Sequence, residues 1–292
     1  MGISIDEKRV YDASEGPRPV YVVGEFGVAR VDTSDDLVGE FGLARECSAR
    51  DAAGSDGRVA VATDEDVLVG TAGEDDTEFE ALGVGPAVAV GFSDGDLLVA
   101  HEDGRIECGD SHDWTTLGEL DDVRAIDGDF LAAESGVYRV TGTSLRHVGL
   151  DDARAVAARG APRAATADGL YRLGNGWLDE LEGEFRAVSA GERSAGGSVE
   201  ESTEGVAGIP EWAHAARADG RLLAREDRGA DGVEWHEVEL PVDGEVIALD
   251  HGETDPTGAY AVTEDGTFLL SVGDGWNYQI LGLRGVRGVA AP

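Results

Sequence analysis

The chain has 292 residues, of which 60 are Asp or Glu and 23 are Lys or Arg, so its formal net charge is −37. Hydrophobic residues make up 41% of the sequence, which is too many for a disordered acidic chain. The acidic residues are therefore expected to coat a folded body. This charge argues against binding to nucleic acid or to an anionic membrane, because either would need a basic stripe and no segment supplies one.

The basic residues also point to an unusual solvent. Lys8 is the sole lysine and the rest are arginines, a surface composition similar to that of proteins from salt-accumulating halophiles. In molar salt the Debye length falls to about 3 Å, which screens the repulsion between so many carboxylates. Cys47 and Cys108 are too few and too far apart for a disulfide framework or a zinc finger. With no apolar leader segment near the N terminus, a cytoplasmic location is predicted.

One twelve-residue pattern occurs seven times along the chain. It consists of small or β-branched residues, an acidic turn that mostly ends in glycine, and a second apolar run. The copies begin at Val20, Val59, Leu97, Asp129, Pro162, Ala213 and Ala259. Each copy is predicted to form a β-hairpin, with a turn residue that tolerates positive φ. These turn residues are Gly27, Asp66, Gly104, Gly136, Gly169, Gly220 and Gly266.

Two further runs follow each hairpin. The first opens with a bulky residue that is expected to pack between neighbouring sheets: Val38, Phe79, Trp114, Leu145, Trp177, Trp235 and Trp276. The second is a short apolar run, as in residues 121–128 and 151–158. Four short strands in each unit of roughly 40 residues is the period of a β-propeller. The sequence therefore predicts an all-β protein, a closed β-propeller of about seven four-stranded blades, in a single domain over residues 1–292.

Closure of the ring is expected to use the C-terminal strand. The first hairpin has no good strand directly before it, whereas the chain ends on a spare strand that starts at Gly285. Pairing of that strand with the first hairpin would remove the open sheet edges. The run that starts at Lys8 competes for the same place, and otherwise residues 1–16 form an N-terminal arm.

The hairpins resemble those of the broad group of β-propellers whose repeats read LYVAT-DG-VYRV. Nearly the whole chain resembles an uncharacterised haloarchaeal β-propeller family. The resemblance implies the fold and no activity, because such a family supplies no site residue to carry over. The sequence lacks a repeated Trp-Asp dipeptide, the kelch double glycine and an Asp-box, so neither kelch-type nor sialidase-type functions are implied.

An arginine repeats in the predicted innermost strands, at Arg124, Arg154, Arg186 and Arg287. The planar guanidinium grips a carboxylate or phosphate through two hydrogen bonds, so a cluster at the channel mouth would bind a small anionic ligand. The competing interpretation is structural. Asp122, Asp152 and Glu184 each lie two residues before one of these arginines, so ion pairs could tie adjacent blades together.

Residues 191–212 are predicted to form a long loop insertion. Its apolar end, Ile209, Pro210 and Trp212, is a candidate docking site for a protein partner, and the alternative is a mobile acidic insertion. Acidic turn tips that converge on the axis could hold a divalent cation, as in a hydrolase or lactonase. In so acidic a chain a ring of acid is also expected by chance.

No catalytic residue, cofactor or metal ligand set is assigned from the sequence. The six histidines occupy unrelated repeat positions, and Ser135 and Ser189 lack a nucleophile elbow. The leading hypothesis is a non-enzymatic cytoplasmic scaffold that binds a protein or a small ligand on one face. The alternatives are a hydrolase or lactonase with an axial cation and a binding module for a small anionic ligand.

Salt is expected to control stability. Lowering the salt concentration from molar levels to dilute buffer should lower the midpoint of thermal unfolding, because the repulsion among the 60 acidic residues is then no longer screened. Circular dichroism melts across a KCl series measure this midpoint. A midpoint that does not change with salt would rule out adaptation to salt.

Overall fold

The computed structural model describes residues 17–73, 76–110, 113–192, 211–227, 233–252, 258–273 and 275–292. Within these ranges the chain forms 28 β-strands, which pair into seven four-stranded antiparallel sheets. The sheets are the blades of a propeller, and the first strand of each blade contacts the first strands of its two neighbours around the axis. The predicted all-β propeller with seven blades is confirmed. No helix long and apolar enough to cross a membrane occurs in the described part of the chain.

Each blade has four strands, which follow one another from the axis to the rim. Blade 1 contains β28 (Val286–Ala290), β1 (Arg18–Gly24), β2 (Gly27–Ser34) and β3 (Leu37–Arg45). Blade 2 contains β4 (Ala49–Ser55), β5 (Arg58–Thr63), β6 (Val67–Thr71) and β7 (Glu80–Ala81). Blade 3 contains β8 (Ala87–Ser93), β9 (Asp96–His101), β10 (Arg105–Gly109) and β11 (Trp114–Glu119).

The remaining blades have the same order. Blade 4 contains β12 (Val123–Asp127), β13 (Phe130–Ala133), β14 (Gly136–Thr141) and β15 (Ser144–Gly149). Blade 5 contains β16 (Ala153–Ala157), β17 (Arg163–Thr166), β18 (Gly169–Leu173) and β19 (Trp177–Glu182). Blade 6 contains β20 (Phe185–Glu192), β21 (Glu211–Arg217), β22 (Leu222–Asp227) and β23 (Val233–Glu237). Blade 7 contains β24 (Val246–His251), β25 (Ala259–Thr263), β26 (Thr267–Gly273) and β27 (Gly275–Ile280).

The core lies between the blades. A separate cluster of buried apolar residues fills each of the seven interfaces between neighbouring sheets. The second strand of a blade is covered on both faces, so β13 and β17 are buried along their whole length. β13 accordingly consists of apolar and small residues only, whereas β17 begins with the buried Arg163. Trp114, Trp177, Trp235 and Trp276 pack against these clusters, as the repeat predicts.

The repeated turn glycine has a steric cause. Gly136 and Gly266 adopt φ of 118° and 81°, values that L side chains rarely adopt. A Cβ atom would lie 2.2 Å from the Leu150 carbonyl oxygen at Gly136 and 2.1 Å from the Leu283 carbonyl oxygen at Gly266. The hairpin turn therefore presses against the backbone that leaves the outer strand of the same blade, and a side chain does not fit there.

The C-terminal strand closes the ring, as predicted. β28 pairs antiparallel with β1, with Tyr21 opposite Ala290 and Val22 opposite Val289. The innermost strand of blade 1 is therefore β28, and the run that starts at Lys8 does not occupy that position. The N-terminal arm, residues 1–16, lies outside the described residues.

Truncation after Leu283 is expected to destabilise the whole propeller. It removes β28 with the buried side chains of Val286 and Val289 and uncovers β1, a loss on the order of 5 kcal/mol. Urea unfolding in molar KCl measures the change in the free energy of unfolding. Deletion of residues 1–6 is the control and should have little effect, and the reverse order of effects would contradict closure by β28.

Candidate functional site

The seven inner strands surround an axial channel with a cavity of about 200 Å³. Small side chains leave this space open, among them Ala125, Ala155, Ala187 and Ala248. The inner strands of blades 2 to 7 each carry a β-bulge near their first residue, for example between Ala153 and Ala155. Bulges of this kind re-aim a side chain, and this is where the repeated arginine lies in blades 4 to 6.

The channel brings the four predicted arginines together. Arg124, Arg154, Arg186 and Arg287 all line the cavity. Three of them reach an acidic residue of the next blade: Arg124 bonds Asp152, Arg154 bonds Glu184, and Arg186 bonds Glu245 at 3.1 Å. Arg287 instead pairs with Glu25 of its own blade at 3.0 Å. These contacts have the geometry of the structural alternative, in which arginine and carboxylate tie blade to blade.

The ion pairs leave part of each guanidinium unused by protein carboxylates. The hydrogen bond to the paired carboxylate comes from Nη1 in Arg124 and Arg154 and from Nη2 in Arg186 and Arg287. The other Nη of Arg124 lies 4.0 Å from Glu134, and that of Arg154 lies 3.8 Å from Asp152. The paired carboxylates themselves are not part of the cavity lining. Donors at the channel mouth therefore retain capacity for a ligand oxygen.

A fifth arginine of this kind was not predicted from the sequence. Arg50 occupies the same bulge position in β4, and it contacts Glu102 at 3.3 Å and the carbonyl oxygen of Ala87 at 3.5 Å, both in blade 3. The repeat is harder to see there because Asp51 follows the arginine where other blades have alanine. Counting from the bulge in each inner strand would have found it. Blades 3 and 7 carry Val88 and Ile247 at this position.

Three aspartates also line the channel. Asp51, Asp127 and Asp250 accept backbone N–H bonds across a blade interface, from Val90 at 3.0 Å, Ala158 at 2.8 Å and Ala291 at 2.8 Å. Burial raises the pKa of Asp51 to about 7 and the pKa of Asp250 to about 7. The Arg159 guanidinium beside Asp250 opposes part of that rise in pKa. All three carboxyls join blades, and Asp51 and Asp250 hold their protons more firmly than surface acids do.

The described residues offer no set of three or more His, Cys, Asp or Glu side chains arranged to hold a metal ion. The three channel aspartates come from blades 2, 4 and 7, and each turns its carboxyl toward a backbone amide. The described residues therefore provide no ligands for the axial cation that the hydrolase alternative requires.

Both ends of the loop insertion predicted at residues 191–212 belong to strands, and residues 193–210 lie outside the described residues. β20 extends to Glu192 and β21 begins at Glu211. Trp212 lies within β21 and is 2% exposed, with its ring centroid 5.1 Å from those of His214 and His251. Its side chain belongs to the core and not to a loop tip, because the strand pairing extends through it. Ile209 and Pro210 lie outside the described residues and remain a predicted docking site.

Stability is expected to fall as the pH rises through the range set by the channel carboxyls. Asp51 and Asp250 have folded-state pKa values of about 7, against an ordinary value of 3.8. The folded state therefore keeps protons that the unfolded state releases, so their contribution is complete below pH 3.8 and is lost as the pH approaches 7. In Asp250→Asn, the unfolding midpoint should depend less steeply on pH than in the wild type.

Thermal melts at constant molar KCl from pH 4.5 to pH 8 measure this slope. The exposed turn variant Asp103→Asn is the matched control and should keep the wild-type slope. Equal slopes in all three proteins would show that the channel carboxyls titrate like surface acids.

Comparisons with known proteins support the fold and do not identify an activity. The WD40 propeller domain of Doa1 is 13% identical, with a TM-score of 0.59 over 83% of this chain and 86% of that one. AztD from Citrobacter koseri is 12% identical, with a TM-score of 0.53 over 88% and 79%. The designed protein Ika8 is 14% identical, with a TM-score of 0.52 over 94% and 91%. No curated protein matches the chain.

The sequence itself matches one family over almost its full length. The model of the HVO_0234-like beta propeller family covers residues 4–292. This is consistent with the resemblance to a haloarchaeal propeller family that the repeats indicated. The chain belongs to the HVO_0234-like beta propeller family.

Proposed function

We propose that the protein is a ligand-binding scaffold whose axial channel takes a small organic anion with at least one carboxylate. The observation that carries the proposal is the charge of the channel lining. The cavity is lined by five arginines, Arg124, Arg154, Arg159, Arg186 and Arg287, and by three aspartates. In a chain with 60 acidic and 23 basic residues, this is a marked local concentration of arginine.

The aspartates do not cancel this charge fully near neutral pH. Two of the three have pKa values of about 7, because burial disfavours their ionised form. An incoming carboxylate would therefore meet guanidinium donors at the mouth and partly protonated carboxyls of the same cavity lining. Protonated carboxyls donate a hydrogen bond, so they also favour an anionic acceptor.

The size of the cavity selects among anions. At about 200 Å³ it lies below the range of drug-sized pockets, which begins at about 300 Å³. Only a small molecule fits such a space. The guanidinium fork matches the planar carboxylate, and two short hydrogen bonds survive in high salt better than a diffuse charge attraction does.

We assign this scaffold to the salt-rich cytoplasm of a halophile. The net charge of −37 supports a salt-rich solvent, where the acidic coat is screened. Neither Cys47 nor Cys108 forms a disulfide, which supports a reducing compartment. Burial raises the pKa of both thiols, so neither is expected to act as a reactive thiolate.

Calorimetric titration with succinate and citrate in molar KCl tests the proposal. Arg154→Ala should weaken binding by about tenfold or more, since it removes a donor from the mouth. Its free energy of unfolding should change by less than about 1 kcal/mol, because the lost ion pair with Glu184 is partly exposed. Arg139→Ala is the matched control, since Arg139 pairs with Asp129 on blade 4 away from the cavity lining.

Two outcomes would refute this function. The first is that the wild-type protein binds neither compound at millimolar concentration. The second is that Arg154→Ala and Arg139→Ala bind with wild-type affinity, which would leave the mouth arginines as ties between blades and nothing more.

A further inference from the structure

A chain of three polar side chains crosses the interface between blades 6 and 7. The Oγ atom of Ser189, in β20, lies 2.9 Å from Nδ1 of His251, in β24. Nε2 of the same imidazole lies 3.0 Å from Nδ1 of His214, in β21. The three residues are 8%, 1% and 2% exposed. None of them stands out in the sequence, because their positions in the repeat are unrelated, and only the closed ring brings them together.

This arrangement is that of an activated nucleophile. A hydroxyl within hydrogen-bond reach of an imidazole, which is itself held by a third polar group, is the common signature of nucleophilic catalysis on unrelated folds. When the Ser189 hydroxyl donates to His251 Nδ1, Nε2–H of His251 donates to His214 Nδ1. Both hydrogen bonds among the three side chains then have one donor and one acceptor.

His251 is in the protonation state that a general base needs. Burial lowers its pKa well below 6.5, and the neighbouring His214 and the Arg159 guanidinium lower it further. The imidazole is therefore neutral near pH 7 and can accept a proton.

Tight packing fixes the two imidazoles. The ring of Trp212 makes edge contacts with both, and Trp276 makes an edge contact with His214 at 5.3 Å between centroids. Gly191 keeps the space beside the base open, since a Cβ atom there would lie 2.9 Å from the His251 Cβ. A nucleophile and base held by packing in this way need little reorganisation on reaction.

Ser189 is also one of the residues that line the cavity. Among the described residues that line the channel, Ser189 is the one that carries a hydroxyl group. Arg159 lines the same cavity and donates from Nη1 to the backbone oxygen of His251 at 2.9 Å. A cation close to the base can stabilise negative charge that develops on a substrate oxygen.

We propose that Ser189 is a nucleophile for acyl transfer from small esters that enter the channel. In the first step Ser189 Oγ bonds to the ester carbonyl carbon while its proton passes to His251 Nδ1. The bond to the alkoxy group then breaks, and the departing oxygen takes that proton and leaves as an alcohol. Water attacks the resulting acyl-serine, gives a proton to His251, and releases the carboxylic acid as the proton returns to Ser189. His214 is a positioning residue, which accepts from the base and fixes its tautomer.

This chemistry stands apart from anion binding at the mouth arginines. Arg186 lies near the start of the strand that carries Ser189, and the two residues are three positions apart along β20. Arg159 belongs to both proposed sites, but a neutral ester needs none of the four mouth arginines, so anion binding can fail without loss of ester hydrolysis.

The test uses a fluorophosphonate probe and p-nitrophenyl acetate on the full-length protein in molar KCl. Peptide mass spectrometry should place the phosphonyl adduct on Ser189. Ser189→Ala should lose the adduct and reduce ester hydrolysis to the background rate. The matched control Ser135→Ala changes an exposed hydroxyl that bonds Tyr138 and should behave as the wild type does.

The pH dependence of the labelling rate shows whether His214 positions the base or only contributes to packing. The acid limb of the wild-type labelling profile should lie below pH 6.5, where His251 gains a proton. His214→Leu should lower the labelling rate at least about tenfold and move the acid limb of the profile, because leucine offers no acceptor to Nε2–H of His251.

The variant Ser189→Cys tests the proposal even if the histidine variant does not fold. In Ser189→Cys the new thiol should react with iodoacetamide faster than Cys47 and Cys108, which serve as internal standards in the same chain. Three results would each overturn the proposal: an adduct on another serine, wild-type labelling no faster than that of Ser189→Ala, or an introduced thiol that reacts as slowly as the native cysteines.

Discussion

The structure depends on one constraint, the convergence of seven sheets on a common axis. Their inner strands lie close together around that axis, and alanine and glycine occupy many of the positions that line the channel. Small residues bury little apolar surface, so stability must come from the wedge-shaped spaces further out. There the seven apolar clusters and the tryptophans fill the widening gap between neighbouring blades.

The same constraint explains the polar ties around the axis. An inner strand has a sheet partner on one side only, and its neighbours across the interface are other inner strands. Asp51, Asp127 and Asp250 satisfy backbone amides on the next blade that would otherwise lack an acceptor. The arginines at the bulges donate hydrogen bonds to carboxylates and carbonyl oxygens of the next blade. Arg124, for example, donates to Asp152 and to the backbone oxygen of Ala153.

The sequence was informative where one position repeats in every blade. The hairpin turns, the bulky residue of the outer strand and the spare C-terminal strand each follow from a steric or pairing rule that acts locally, so they could be predicted. The four repeated arginines that line the channel were found for the same reason. Arg50, at the equivalent position in β4, was missed because Asp51 follows it where most other blades have alanine.

Contacts between residues at non-repeating positions could not be predicted from the sequence. Ser189, His214 and His251 lie on three strands of two blades, and their separations along the chain carry no period. Trp212 was placed on a loop because its neighbours are acidic and glycine-rich, although strand pairing reaches past it. In both cases the register between strands decides the outcome, and register across an interface leaves no local trace.

Closure by β28 also has a consequence for the order of events during synthesis. β1 leaves the ribosome among the first strands, and its partner on the axial side leaves after all the others. Until then blade 1 exposes an unpaired edge lined with valines, which is a template for association with other nascent chains. The dense negative charge then has a second use, since like-charged chains repel one another during the interval in which that edge is open.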